Sequence, residues 1–224
     1  MANKSFIGFL TLVLVLVGCK KQPAPNFHTE YFGLETGRYV IYNVTEITHD
    51  AALSPAHDTN YYQLKTVWEG EYIDNEGRPA SEFRRYIRAT ENDPWALADI
   101  WTGIIDGIRA ELIEENQRVV KLVFAPSLSK EWDVNGYNNM PEMNAYYSDV
   151  HIDTTINGVA FDSIVVVDQD RFNSLIDTVR LFEVYAKNVG LIRKFEKNNK
   201  YNFGDSEPKS GREVYYEYVE HGFQ

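Results

Sequence analysis

The chain is poor in the features that announce a chemistry. It has a single cysteine, Cys19, so no disulfide can form within it. Its apolar run from Phe6 to Val17 is twelve residues, well short of the ~20 that cross a bilayer as a helix. Positive charge is scarce: 33 acidic residues stand against 22 basic ones, a net charge of −11. That balance argues against nucleic acid as a partner, because phosphate binding needs a basic face or stripe. Gly-x-Ser-x-Gly, His-x-x-x-His, His-Glu-x-x-His and a Gly-rich phosphate loop are all missing. No motif marks the chain as an enzyme, and no metal or diffusible cofactor is expected.

What the N-terminus does carry is an address. Lys4 supplies a short positive start, Phe6 to Val17 the apolar centre, and Gly18 a small residue at the close. This is the layout of a secretory signal. Leu16-Val17-Gly18-Cys19 resembles the bacterial lipobox. The resemblance implies that residues 1–18 are a signal peptide removed before Cys19, and that the Cys19 sulfur receives diacylglycerol. Acyl chains contribute about 0.8 kcal/mol per buried methylene, and one chain alone binds a membrane only reversibly. The two or three chains of a lipoprotein hold it in place. Lys20-Lys21-Gln22-Pro23-Ala24-Pro25-Asn26 follows, polar and proline-punctuated. Residues 19–29 therefore read as a tether, with an extended reach of some 25 Å at ~3.1 Å per residue. Residues 30–224 are left for a single β-rich domain.

In that domain the aromatic residues, 15 Tyr, 12 Phe and 4 Trp, fall in short alternating runs. Alternation and composition predict strands at Tyr39 to Ile47, Tyr61 to Tyr72, Phe83 to Ala89, Ala96 to Thr102, Arg109 to Glu114 and Val119 to Phe124. Further strands are expected at Asn144 to Asp153, Phe161 to Gln169, Leu181 to Lys187, Leu191 to Lys197 and Glu213 to Val219. Asn157-Gly158 marks a tight hairpin turn. Arg171 to Val179 reads as a short helix and Lys197 to Gly211 as a long polar hairpin tip. The expected fold is all-β or nearly so. So many strands must curl to hide their edges, which predicts a large, strongly curved antiparallel sheet, a half-barrel or a barrel.

Three stretches together resemble a group of uncharacterised outer-membrane lipoproteins of Bacteroidota. They are Tyr31-Phe32-Gly33-Leu34-Glu35-Thr36-Gly37-Arg38-Tyr39-Val40-Ile41-Tyr42, the central Val120 to Pro126 with Trp132 to Asn138, and Glu183-Val184-Tyr185-Ala186-Lys187-Asn188-Val189-Gly190-Leu191-Ile192. The resemblance implies a lipid-anchored envelope protein and brings no catalytic residues with it. Surface-displayed members of that phylum tend to carry acidic residues just after the cysteine. Here Lys20 and Lys21 follow, so the expected location is the periplasmic face of the outer membrane.

Three side-chain groupings could carry a chemistry. Asp149, His151 and Asp153 alternate in one predicted strand and would share a face, which makes them weak candidates for a metal set. Glu111, Glu114 and Glu115 offer carboxylates for acid–base work if any two are held at the right separation. The aromatic residues are the remaining clue. Tyr62, Trp68, Trp95, Trp101 and Tyr147 are candidates for a concave face or barrel mouth that holds an apolar or glycan ligand. Cross-strand pairing accounts for the same residues without any ligand. The sequence thus favours a non-catalytic binding or accessory module for an apolar ligand or an envelope protein partner. Structural or assembly lipoprotein and envelope hydrolase are the alternatives.

Overall fold

The computed structural model describes residues 25–224. The signal peptide, the lipobox and Cys19 lie outside the described residues. Apart from one 3-10 turn, Thr29–Tyr31, the regular structure described is strand. In chain order the strands are β1 (Arg38–Asp50), β2 (His57–Ile73), β3 (Pro79–Arg88), β4 (Ala96–Asp106), β5 (Arg109–Glu114), β6 (Gln117–Val123) and β7 (Glu131–Asp133). They continue with β8 (Asn144–Ile156), β9 (Val159–Asn173), β10 (Asp177–Ala186), β11 (Gly190–Lys200) and β12 (Ser210–Phe223).

All twelve lie in one antiparallel sheet, in the order β6-β5-β4-β3-β2-β1-β12-β11-β10-β9-β8-β7. Two six-stranded meanders are joined where the first strand pairs with the last, with Tyr42 opposite Tyr218 and Thr45 opposite Tyr215. The edges, β6 and β7, are consecutive in sequence and meet in space. The Val120 N–H donates to the Val134 carbonyl (2.9 Å) and the Trp132 indole N–H to the Val120 carbonyl (3.0 Å). The expected curved sheet is therefore a nearly closed barrel, which leaves little free edge to pair with another chain. Trp132 seals the seam, whereas Tyr137 is half exposed under the Arg109 guanidinium.

Three local expectations change. There is no helix at Arg171 to Val179: β9 runs on to Asn173, and β10 begins at Asp177. The turn between them is held by the Ser174 hydroxyl, which accepts from the Ile176 and Asp177 N–H groups. Strand pairing there outweighs a weak local preference. The short β7 was not expected, because three residues carry no period. Finally, β11 and β12 extend further than their apolar runs, leaving only 201–209 as the loop between them.

Chain reversals alternate between the two ends of the barrel. One end gathers the start of β1, the end of β12 and the β2–β3, β4–β5, β8–β9 and β10–β11 turns. This end is closed by the chain's own N-terminal segment. The Phe27 carbonyl accepts from the Ala125 N–H (2.7 Å), the Glu30 carbonyl from the Asn188 N–H (3.0 Å), and the Gly37 N–H donates to the Trp68 carbonyl (2.7 Å). Tyr31 and Phe32, both buried, push into the core as a plug. Gly33 makes the fit possible. Its φ is +65°, and a Cβ there would stand 2.5 Å from the Val189 carbonyl oxygen, so the strap passes only without a side chain.

The barrel wall is thickened on one side. On β9, Val165 and Val167 pack in the cluster with Tyr31 and Phe32, while Ile164 and Val166 pack in a second cluster with Phe161 and Tyr218. Both faces of the strand are thus covered. The tip of the β8–β9 hairpin reaches across to β12, where the Asn157 amide donates to the Tyr218 carbonyl (2.6 Å).

Candidate functional site

The end opposite the plug is open. A cleft of about 700 Å³ lies there, between the ends of β1–β4, lined by Tyr61, Tyr62, Arg85, Arg88, Asp93 and Asp99 among others. A second, smaller recess of about 220 Å³ lies toward the same end between β5, β6 and β9–β11. Arg85 links the first to an internal cavity of about 70 Å³, and Lys121, Glu114, Glu183 and Lys194 link the second to it. The barrel is therefore a cup, closed by residues 27–37 and open at the far rim.

The cup's wall is an aromatic ladder across β2, β3 and β4. Phe32 lies 5.2 Å from Trp68, Trp68 lies 4.3 Å from Phe83, and Phe83 lies 6.3 Å from Trp101, centroid to centroid. Strand alternation explains it: Thr66 and Trp68 on β2, and Phe83 and Arg85 on β3, fall two residues apart and turn the same way. Gly103 on β4 lets Trp68 lie flat, because a Cβ there would meet the indole at 2.2 Å. The Arg85 guanidinium sits 4.0 Å over the Trp101 ring, bonds Asp99 (2.9 Å) and reaches the Tyr216 hydroxyl (3.3 Å).

Opposite this ladder stands a buried charge network. The Lys121 ammonium donates to Glu183 at 2.7 Å and lies 3.6 Å from Glu114. Glu183 and Lys194 are cross-strand neighbours on β10 and β11. The Tyr185 hydroxyl also donates to Glu183 (2.6 Å). Burial would push the Glu183 carboxyl up, but Lys121 and Lys194 outweigh it and hold the group below the usual carboxylate range. Burial would likewise depress Lys121, and the Glu183 and Glu114 carboxylates raise it instead. Both groups are thus fixed in their charged forms. The buried Arg38 Nε, beside the same cavity, has no hydrogen-bond partner among the described residues. A water needs roughly 10–15 Å³ of such space, so the cavity has room for a few waters and for nothing the size of a lipid.

Of the aromatics read from the sequence, Trp68 and Trp101 meet in the internal cavity. Tyr62 lines the open cleft, where burial, Tyr216 and Glu46 push its hydroxyl up to about 12. Trp95 lines neither; it is held between the Arg88 and Lys65 cations. Tyr147 is a core residue at the seam, its ring tilted against Trp132 at 4.9 Å and its hydroxyl donating to the Val123 carbonyl.

The predicted face of Asp149, His151 and Asp153 does not form. Bulges fall between Tyr147 and Asp149, Val150 and Ile152, and Ile152 and Thr154, and His151 takes a φ of +56°. Each bulge breaks the two-residue period that the face required. The His151 Nδ1 instead meets the Tyr31 hydroxyl at 2.6 Å, and that hydroxyl also contacts Ser163 Oγ at 2.6 Å. Among the described residues no group of three or more His, Cys, Asp or Glu is arranged to hold a metal ion. The three glutamates diverge as well. Glu111 is buried under Arg78, Arg109 and Arg118, Glu114 joins the internal network, and Glu115 turns to the Trp101 indole.

The buried charges were missed in the sequence, although a signal is present. Lys121 interrupts Val119-Val120-Lys121-Leu122-Val123, and Glu183 interrupts Leu181-Phe182-Glu183-Val184-Tyr185. A charge inside an apolar strand reads as an outward residue in an open sheet and as a lumen residue in a closed one.

No protein-family model matches the chain. No curated protein matches its sequence. Two solved structures share a distant likeness. One is provisionally named an exported protein with a YmcC-like fold, from Bacteroides fragilis NCTC 9343: TM-score 0.43, 9% identity, 83% of this chain and 97% of that one covered. The other is provisionally named a lipoprotein, from Parabacteroides distasonis ATCC 8503: TM-score 0.39, 11% identity, 84% and 98% covered. Likenesses this distant assign the chain to no family.

Proposed function

We propose that the protein is a non-catalytic binding module of the bacterial envelope, held by lipid on Cys19 at the periplasmic face of the outer membrane, with its cup facing away from the bilayer. The observation that carries this reading is the polarity of the barrel. The tether expected over residues 19–29 runs at its end into the strap of residues 27–37 that plugs one end, and the open cleft lies at the other. A ligand can reach the rim of an anchored molecule from the periplasm without meeting the membrane.

The cleft's size and lining suit a small molecule with one flat apolar face and several hydroxyls, a glycan in class. Ligand sites run to roughly 300–1,000 Å³, so the 700 Å³ cleft is in range and the internal cavity is not. Tyr61 and Tyr62 offer ring faces, and Arg88, Asp93 and Asn60 offer donors and acceptors beside them. A wholly apolar ligand fits less well than the sequence alone suggested, because charge lines every recess. Lys121 and Glu183 are locked in their ionised forms, which suits electrostatic positioning better than proton transfer near neutral pH.

Two measurements test the proposal. Intact-mass spectrometry of protein extracted from envelopes should show a chain beginning at a diacylated Cys19; a free thiol or an uncleaved leader overturns the anchor. Titration of residues 25–224 with envelope glycans should shift NMR resonances of Tyr61, Tyr62 and Arg88, and Tyr62→Ala should weaken binding at least tenfold. Shifts confined to the plugged end, or none with any glycan, overturn the ligand site.

A further inference from the structure

A second polar site lies outside the cup, where β1 and β2 leave the barrel toward the open end. His49 and His57 are directly opposed on these strands, which places side chains on one face within mutual reach. Their Nδ1 atoms face each other at 2.8 Å. His49 is buried, and its Nε2 points at Glu213 Oε1 (3.3 Å). That oxygen already accepts from the Asn199 amide (2.7 Å) and lies 3.1 Å from the Lys197 ammonium, while Glu213 Oε2 accepts from the Tyr215 hydroxyl. A carboxylate held by so many donors cannot swing. Because it only accepts, the hydrogen of the His49 contact must sit on His49 Nε2. The His49 Nδ1 then presents a lone pair.

His57 also has a carboxylate on its far side, beyond hydrogen-bond reach. Its Nε2 faces the Glu207 carboxylate at 3.7 Å, and its side chain is 39% exposed. In the tautomer that carries its hydrogen on that nitrogen, the His57 Nδ1 is bare too, and two lone pairs meet at 2.8 Å. They stay there only if something positive lies between them. A hydrogen retained on His57 Nδ1 is one way to meet that need, and a metal ion is the other. A carboxylate bonded to the far nitrogen, as Glu213 is to His49, is the outer arrangement that orients metal-ligating histidines and raises their basicity.

We infer that His49 and His57 form a two-histidine site for a first-row transition metal ion of the Zn²⁺ class, with Glu213 orienting the His49 ring and water completing the coordination. Imidazole nitrogen suits Zn²⁺, Cu²⁺ and Ni²⁺ rather than Mg²⁺ or Ca²⁺. Two ligands at 2.0–2.1 Å in tetrahedral geometry stand roughly 3.3 Å apart, so the rings part by about half an ångström on binding. His57 is exposed enough to move, and its exposure gives the ion a way in. Any hydrogen shared between the two Nδ1 atoms leaves as a solvent proton when the ion enters. The bound ion clips the β1–β2 tip to the strand pair that carries Glu213 and Asn199. Neither the lipid anchor nor the glycan cleft enters this inference.

The test uses tag-free protein, because a histidine tag would bind the same probe. Zn²⁺ titrated by calorimetry should bind one-to-one and raise the melting temperature. His57→Ala should abolish both effects, while His221→Ala, an exposed histidine at the opposite end, should leave them unchanged. In the wild type, Zn²⁺ should shift the imidazole resonances of His49 and His57 and spare those of His28 and His151, a readout that does not depend on a variant folding. Absence of saturable binding, binding indifferent to His57→Ala, or imidazole spectra showing only a hydrogen held between the two rings would overturn the inference.

Discussion

The Lys121 ammonium and the Glu183 carboxylate lie 2.7 Å apart inside the barrel, with 12% and 4% of their side chains exposed. An ion pair this deep adds little over a well-packed apolar pair, but breaking it strands a charge. Lys121→Met should cost about 3–5 kcal/mol in chemical denaturation. Lys121→Met combined with Glu183→Gln should recover much of that loss. If the single and double variants are equally unstable, the pair is not the coupled unit described.

The flat contact between Trp68 and Gly103 predicts a second effect. Gly103→Ala inserts a methyl where the indole now lies, and overpacking of this kind costs about 1–3 kcal/mol. The indole must tilt into the cavity it shares with Trp101 and Phe83. Tryptophan fluorescence should shift along with the loss of stability. Unchanged emission and stability would show that the wall is not packed as described.

Gly33→Ala addresses the plug. The positive φ and the Val189 carbonyl at 2.5 Å both oppose a side chain, so the strap should lift locally. Hydrogen exchange should quicken at Asn188 and Ala125, whose N–H groups bond the strap at Glu30 and Phe27. Amides in the β3–β4 pairing should be much less affected. Uniform acceleration across the sheet would mean that the plug and barrel open only together.

The contact of Tyr31 with His151 makes the plug sensitive to acid. Partial burial comes first among the causes that lower the His151 pKa, followed by the positive charge of His28 and Lys187; Glu30 opposes them. The His28 ring lies 4.5 Å away. A histidine with a lowered folded pKa contributes stability above its unfolded value, about 6.5, and loses it as pH falls through the folded value. The melting temperature should therefore fall as pH drops below about 6.5. His151→Gln, which can still accept from Tyr31, should flatten that slope. An unchanged slope in the variant would place the acid sensitivity elsewhere.

The sequence by itself determined the class of fold, most strand positions and the tight turn at Asn157-Gly158, where φ is positive at both residues. These follow from the two-residue alternation of side chains and from turn chemistry, which are properties of neighbouring residues. It also supplied the pointers to location, between Lys4 and Lys21. The tertiary structure alone decided which alternation faced a lumen. Lys121 and Glu183 stand 62 positions apart in the chain, and only closure of the sheet turns them toward one another. It also decided that Tyr147 is core while Trp101 borders a cavity, and that bulges scatter Asp149, His151 and Asp153. Local pattern specifies that a strand has two faces; the path of the whole sheet specifies what each face meets.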